Sequence, residues 1–369
     1  MLKQVTLDGI EPLAIGAGIL GTGGGGDPYM DSLQLRSEIQ ARGPQMVVDP
    51  QVLADDATIV IVGYIGAPTA SIEKIQEGTE LMRSVRLMEK HLNKSVDAIG
   101  IAEIGGGNSM GPLITGLQMG LPTVDADGMG RAFPELPMTT FLFNDEIHAA
   151  PFAMADAGEN AIVVPQTVND EWAERIARTI TVSMGATAGL AGFVMTGAQF
   201  RQYCIPHTLT LAWQIGQHVL EARRQGADVP DAIASTLHGR VLLRGKISDI
   251  KRRTTEGFAK GTITIDGYDR ADSNTEVDRL HIEFQNEFLI AYLNGEAQVT
   301  VPDLICIVTE EEGEPVATEL LRYGMRVAVL GVPAPPQLKT ERALSVVGPQ
   351  AFGYREKFAP LPGGVIGVE

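Results

Sequence analysis

Cysteine is nearly absent from this chain of 369 residues, with only Cys204 and Cys306 present. Two thiols so far apart support neither a disulfide framework nor a zinc knuckle, and a reducing cytoplasm is the expected compartment. Basic residues are scarce beside acidic ones: 29 Lys and Arg against 46 Asp and Glu leave a formal charge of -17. Such a balance repels nucleic-acid phosphates and anionic lipid surfaces, so small molecules and protein subunits are the expected partners. No apolar run reaches the roughly 18 residues needed to cross a bilayer, and no basic n-region with an apolar h-region opens the sequence. The six histidines form no HxH or HExxH pair. GxxxxGK[ST] and GxSxG are also missing, which removes the commonest phosphate-loop and serine-hydrolase readings.

What the chain has is glycine, gathered into three loops that each carry a carboxylate or carboxamide: GTGGGGDP at 21–28, EIGGGNS at 103–109 and DADGMGRAFPE at 125–135. Without a Cβ, backbone N–H groups can approach a ligand closely. Three such loops within the first 135 residues predict one pocket for a small polar molecule.

The surrounding pattern places these loops. Asp8 can cap a helix carrying Ile10, Leu13, Ala17 and Leu20, and Asp27 with Pro28 have the chemistry of an N-cap and N1 pair for a second helix running to about residue 41. Short apolar runs at 46–48, 58–62, 98–102, 123–125 and 161–165 alternate with helical stretches at 79–92 and 109–119. Residues 1–170 thus read as a layered α/β/α sheet domain. A helical segment over 171–239, with a glycine-rich hinge at 189–197, is expected to bridge the halves and pack on the α/β domain. Residues 240–335 form short β-branched or aromatic runs with turns at Asp266-Gly267 and Asn294-Gly295, the pattern of a smaller mainly β domain, a barrel or sandwich. A loop-rich tail at 336–369, after VPAPPQ, is left to return to the first domain.

Each motif has a plain reading and a functional one. Gly16, Gly18 and Gly21 match G-x-G-x-x-G, with Asp49 downstream, yet the fingerprint needs a strand before it, and helical spacing with Pro12 favours helix packing through small residues. Gly23, Gly24, Gly25, Gly26 and Asp27 are costly to order merely as a turn and are assigned to ligand contact. Glu103 stands at a strand end before Gly106, Gly107 and Asn108, where open α/β sheets place ligand groups; Asn108 could equally be a helix N-cap. Asp125 and Asp127, two positions apart, could share a proton, hold a divalent metal ion or orient a water, and Arg131, with Gly128 and Glu135 in the same loop, could bind a carboxylate or ring carbonyl. An Asx-turn with a salt bridge is the alternative. His148 and His207 are the histidines to weigh as acid or base against a satisfied interior role. The basic run at 245–253 reads as a solvated strand edge.

Together, LAIGAGILGTGGGGDPY at 13–29, IAEIGGGNS at 101–109 and PTVDADGMGRAFPELPM at 122–138 resemble the S-methyl thiohydantoin desulfurase family, which is associated with hydantoinase and oxoprolinase systems. The resemblance runs over nearly the whole chain. It implies an α/β N-terminal domain, a β-rich C-terminal domain and removal of a methylthio group from a hydantoin-type ring. Hydrolysis of that kind needs a base for water and an acid or cation for charge on the ring. On this reading Asp125 or Asp127 positions the water, directly or through a divalent ion, while Arg131 and the amides of residues 23–26 hold ring carbonyls. Glu103 and Asn108 complete the lining, and loss of Asp127 or Arg131 is expected to abolish turnover without lowering the melting temperature. The competing reading is a non-catalytic ligand-binding or regulatory subunit of a hydantoinase- or oxoprolinase-type system. A nucleotide-dependent enzyme ranks third, because no phosphate-directed lysine accompanies the glycines. A hydrophobic fraction of 44% accords with homo-oligomer interfaces.

Overall fold

Strands that are apolar on both faces can be buried only in a sheet covered on both sides, and three of the short runs are of this kind. Thr58–Gly66, Ala98–Ile101 and Thr123–Asp127 are almost wholly buried and pair in parallel, Ile59 with Ala98 and Ile101 with Asp127. The computed structural model describes residues 1–66, 76–255, 258–268 and 277–362. Its first sheet runs in the order Gln4–Val5, Gln45–Val48, Thr123–Asp127, Ala98–Ile101, Thr58–Gly66, Thr187–Thr196, Phe152–Ala155 and Ala161–Val164, with Ile205–Pro206 beside Thr123–Asp127. Alternation along a strand divides its side chains between two layers. Val60 and Val62 join Leu81, Val85 and Met88 of helix Glu80–Leu92, whereas Ile59 and Ile61 face Ala173 and Ala177 of helix Asp170–Ser183.

Of residues 189–197, expected as a hinge between helices, 189–196 belong instead to the long strand Thr187–Thr196, antiparallel to Thr58–Gly66, and Gly197 opens the helix Gly197–Tyr203. The physical reason is composition. AGLAGFVM supplies small and apolar side chains for both faces, and the glycines admit Glu80 and Phe152 against the strand backbone. The sheet is therefore mixed.

The second domain is a seven-stranded antiparallel sheet in the order Glu296–Thr300, Glu287–Leu293, Arg279–Gln285, Phe258–Gly267, Arg240–Thr255, Arg326–Val332 and Leu304–Thr309. It curls into a half-barrel, bringing Leu304–Thr309 near Glu287–Leu293 and Glu296–Thr300. The basic run at 245–253 lies within Arg240–Thr255, with Lys251, Arg252 and Arg253 exposed. Asp266 and Gly267, expected in a turn, extend the strand: Asp266 pairs with Lys246 and Arg279. After the proline-rich stretch, helix Glu341–Val347 sends Ala343 and Val347 into the same core as Leu13 and Ile19. Residues 363–369 of the expected tail lie outside the described residues.

Gly16 and Gly18 of the G-x-G-x-x-G match lie inside helix Ile10–Leu20 and Gly21 caps its C-terminus; this helix crosses helix Thr208–Gln225 backbone to backbone. A Cβ on Gly16 would stand 1.8 Å from the Ala212 carbonyl oxygen, and one on Gly216 would stand 1.8 Å from that of Pro12. These glycines serve packing. The chain then turns through the first glycine loop into helix Pro28–Arg42, where Asp27 caps by accepting from the Tyr29 N–H at 3.0 Å.

Candidate functional site

The three glycine loops converge at the carboxyl ends of the parallel strands Thr58–Gly66 and Ala98–Ile101, where open sheets of this kind leave a crevice. The Gly26 carbonyl accepts from the Gly107 N–H at 3.1 Å, the Gly25 carbonyl accepts from the Asn108 N–H at 3.4 Å, and the Gly128 N–H donates to the Ala102 carbonyl at 3.2 Å. Gly25 must be glycine for two reasons: its φ is +75°, and a Cβ there would lie 2.2 Å from the Gly105 oxygen. The crevice encloses a cavity of about 140 Å³, similar to the roughly 150 Å³ apolar cavity that admits a benzene ring.

Its wall joins apolar and acidic groups. Ile61, Leu190 and Phe193 supply part of the apolar side; Asp27, Asp31, Glu103, Glu135 and Glu287 supply carboxylates, with Arg178 beside them. Glu103 is held by the Asn108 carboxamide, whose Nδ2 donates to Oε1 at 2.6 Å, and by the Phe133 N–H, which donates to Oε2 at 3.2 Å. Asn108 is itself fixed: its Oδ1 accepts from the Tyr64 N–H at 2.7 Å and its Nδ2 also reaches the Tyr64 carbonyl at 3.2 Å. It is thus a positioning group, and neither helix beside it uses its side chain as a cap. Burial outweighs the donated hydrogen bonds and pushes the Glu103 carboxyl up to about 7, so both protonation states are populated near neutrality.

Two cavity carboxylates were not singled out in the sequence. Asp31 lies one helical turn after Asp27, against Gly107, and burial together with the charges of Asp27 and Glu80 raises it to about 7. Glu287 comes from the second domain, 3% exposed, with no hydrogen-bond partner for Oε2. Burial, reinforced by the charge of Glu103, lifts its carboxyl well above the ordinary range. A signal for Glu287 existed: an acid opening the apolar run EFLIA needs a partner or a task. Asp31 gave none, since an acid in the first turn of a helix is ordinary.

Several expected site residues belong elsewhere. Arg131, expected to hold ring carbonyls, is 0% exposed, and all its donor nitrogens are taken. Nε donates to the Ala132 carbonyl at 3.0 Å, Nη1 to those of Pro302 and Asp303 at 3.1 Å each, and Nη2 to Thr22 Oγ1 at 2.8 Å and the Phe288 carbonyl at 3.1 Å. It fastens the first glycine loop to the second domain, and no donor remains for a ligand.

Asp125 and Asp127, expected to position water or a metal, are also sealed, each at 0% exposure. Asp125 accepts from the Thr210 N–H at 3.0 Å and hydroxyl at 2.5 Å. Oδ2 of Asp127 accepts from the N–H groups of Ile104, Met129 and Gly130 at 2.8, 3.1 and 2.8 Å. This is the Asx-type role weighed against the catalytic one, stretched to join two glycine loops. Among the described residues no cluster of three or more His, Cys, Asp and Glu side chains is placed to hold a metal ion.

The remaining candidates divide. Gly25, Gly26, Asp27, Gly107, Asn108 and Glu135 line the cavity with Glu103, whereas Gly23, Gly24, Gly106 and Gly128 lie behind it. Gly23 packs on Phe288, Gly24 on Glu287, Gly106 on residues 25 and 26, and Gly128 on Thr139 and Phe141. His207 stands with Nδ1 3.7 Å from Asp125 Oδ2, away from the cavity, and His148 is exposed beside Asp170. No helix among the described residues is long and apolar enough to cross a membrane.

Comparison with known proteins places this architecture. No curated protein matches the chain. A crystal structure of a protein from Chromobacterium violaceum superposes with a TM-score of 0.81 at 21% identity, covering 97% of this chain and 100% of that one, which establishes the shared fold. The model of the S-Me-THD-like N-terminal domain matches residues 8–166 and that of the S-Me-THD-like C-terminal domain matches residues 168–361. The chain belongs to the S-methyl thiohydantoin desulfurase-like family.

Proposed function

We propose that the cavity hydrolyses a small methylthio-substituted, hydantoin-like ring, releasing methanethiol. The observation that carries this reading is Glu103, a carboxyl raised to about 7 and held in a fixed orientation on the wall of a ring-sized cavity. A base poised near the working pH extracts a proton from water most effectively. In the proposed step Glu103 takes one proton from water while the oxygen adds to the ring carbon bearing sulfur. The ring nitrogen takes a proton from a second acid of the same lining, Glu287, which holds its proton well above the ordinary range. Collapse forms the new C=O bond and breaks the C–S bond; the thiolate leaves with the proton from Glu103, and the hydroxyl proton returns to Glu287. The products are the hydantoin-type ring and methanethiol. The amides of Gly25 and Gly26, which have no hydrogen-bond partner among the described residues, suit a ring carbonyl.

The test is direct. Purified chain, with no second protein, is incubated with a methylthio-substituted thiohydantoin, and methanethiol is measured with a thiol reagent. Release proportional to protein concentration supports the reaction. Saturable binding without release assigns the chain to the alternative, a ligand-binding subunit that works beside a hydantoinase- or oxoprolinase-type hydrolase.

A further inference from the structure

The cavity's charge is one-sided. Asp27, Asp31, Glu103, Glu135 and Glu287 all reach its lining, and Arg178 is the only basic side chain there among the described residues. Two of that guanidinium's three nitrogens are engaged: Nε donates to Glu174 Oε1 at 2.8 Å and Nη2 donates to the Pro134 carbonyl at 2.9 Å, with the group lying over the Phe258 ring at 4.8 Å. The Asn108 amide is equally occupied, by Tyr64 and Glu103.

The acceptors are in the opposite condition. Glu287 Oε2 is buried with no partner, and the Asp31 carboxylate receives only its own backbone N–H. A buried carboxylate oxygen without a donor carries a desolvation cost that a ligand's N–H removes, and a positively charged N–H removes it best. Neutral donors remain in the lining at Gln76, Thr187, the Asn286 carboxamide, of which only Oδ1 is used, by the Ala259 N–H, and the Gly25 and Gly26 amides, and Arg131 behind the wall offsets part of the Glu287 charge, but five carboxyl groups against one lining guanidinium leave the excess negative.

We infer that the cavity binds its substrate as an N–H-bearing cation, a protonated cyclic isothiourea or amidine, with Glu287 and Asp31 as its counter-charges. The inference rests on the reaction proposed above for the identity of the heterocycle, and it adds the form in which that ring is held. A ring C=N bond carrying a methylthio group is an isothiourea. Transfer of the Glu287 proton to its nitrogen gives a delocalised cation beside a carboxylate, and the carbon between nitrogen and sulfur becomes more open to attack by water. The proton count of the hydrolysis is unchanged, because the hydroxyl of the adduct restores Glu287 on collapse.

Calorimetric titration of the full chain with two probes of matched size tests this: S-methylisothiourea, a cation at pH 7.5, and neutral N-methylthiourea. The expected result is at least about tenfold tighter binding of the cation, as loss or gain of one charge-assisted hydrogen bond implies. Glu287→Gln should remove most of that preference, and Asp31→Asn should reduce it by a smaller factor. Equal or tighter binding of N-methylthiourea by the wild-type chain overturns the inference, whatever the variants do. Methanethiol release, assayed on the same preparation, keeps the two ideas apart. Turnover without a cation preference overturns the charge assignment and leaves the hydrolysis, whereas a cation preference without turnover supports the charge assignment and removes the hydrolysis.

Discussion

Two sets of buried carboxylates lie within one domain diameter of each other and do opposite things. Asp125 and Asp127 stand on a central strand behind the cavity; Asp125 accepts from Thr210, and Oδ2 of Asp127 accepts from Ile104, Met129 and Gly130 while its Oδ1 is buried without a partner. Glu103, Asp31 and Glu287 stand around a cavity, and Glu287 keeps an oxygen with no donor at all. Residue type is the same, and burial is similar. What separates a brace from a candidate catalytic group here is access: Asp31, Glu103 and Glu287 reach the cavity lining and Asp125 and Asp127 do not, so a vacant oxygen beside open space is available to a ligand and one sealed behind the wall, such as Oδ1 of Asp127, is not.

The sharpest way to break this contrast is to exchange its members. Glu103→Gln preserves shape and the contacts to Asn108 and Phe133 in part but removes the base; methanethiol release should fall by about 10²–10⁴-fold with the melting temperature nearly unchanged. Full activity in that variant would remove Glu103 from the reaction. The reverse pattern is expected for Arg131, whose replacement by Met strands buried carbonyls and leaves Glu287 and Asp303 without its charge. Equilibrium denaturation should show a loss of about 3–5 kcal/mol; a stability within 1 kcal/mol of wild type would show that the fastening is dispensable.

Asp127→Ala comes next. It orphans three buried N–H groups and should cost about 3 kcal/mol, while the rate per folded molecule, corrected by active-site titration, stays near wild type. A hundredfold drop in that corrected rate would return Asp127 to the chemistry. Gly216→Ala, which drives a Cβ into the Pro12 carbonyl, should cost about 2–3 kcal/mol through displaced helices, and an unchanged denaturation midpoint would contradict the crossing described here.

The smallest effect is a slope. The Glu103 carboxyl binds its proton more tightly in the folded chain, at about 7, than at its ordinary 4.5. Its contribution to stability is therefore complete below about pH 4.5 and is lost as pH rises toward 7, at most about 1.4 kcal/mol per unit. Denaturation curves across this window should be flatter for Glu103→Gln than for wild type. The catalytic limb has the opposite sense: below about pH 7 protonation removes the base, and the rate should decline toward tenfold per pH unit.

Much of this is legible in the amino-acid sequence. The glycine loops near residues 25, 107 and 128 do meet, and the division into an α/β sheet domain and a curled β domain follows from the change in apolar periodicity near residue 240. Asp27 and Pro28 cap and open their helix as their chemistry dictates. Three things were hidden, each for a physical reason. Glu287 lies some 180 residues from Glu103, and only the docking of two sheets brings them together. Arg131 sits in a loop whose polarity suggests exposure, yet four acceptors from distant segments and the neighbouring Ala132 carbonyl compensate its burial. The strand Thr187–Thr196 resembles a flexible connector because its glycines, which in isolation loosen a chain, here make room for neighbours on both faces.

The first glycine loop is sewn to the half-barrel by more than one stitch: the Phe288 N–H donates to the Thr22 carbonyl at 2.8 Å, the Thr318 N–H to the Gly23 carbonyl at 2.9 Å, and Arg131 crosses the same seam. A chain divided between the two sheets would therefore yield one fragment with a half-built hollow and a stranded guanidinium, and another with Glu287 facing water. Neither piece alone would own the chamber; it would come into being only when the fragments were mixed and re-docked, as a property of the seam itself.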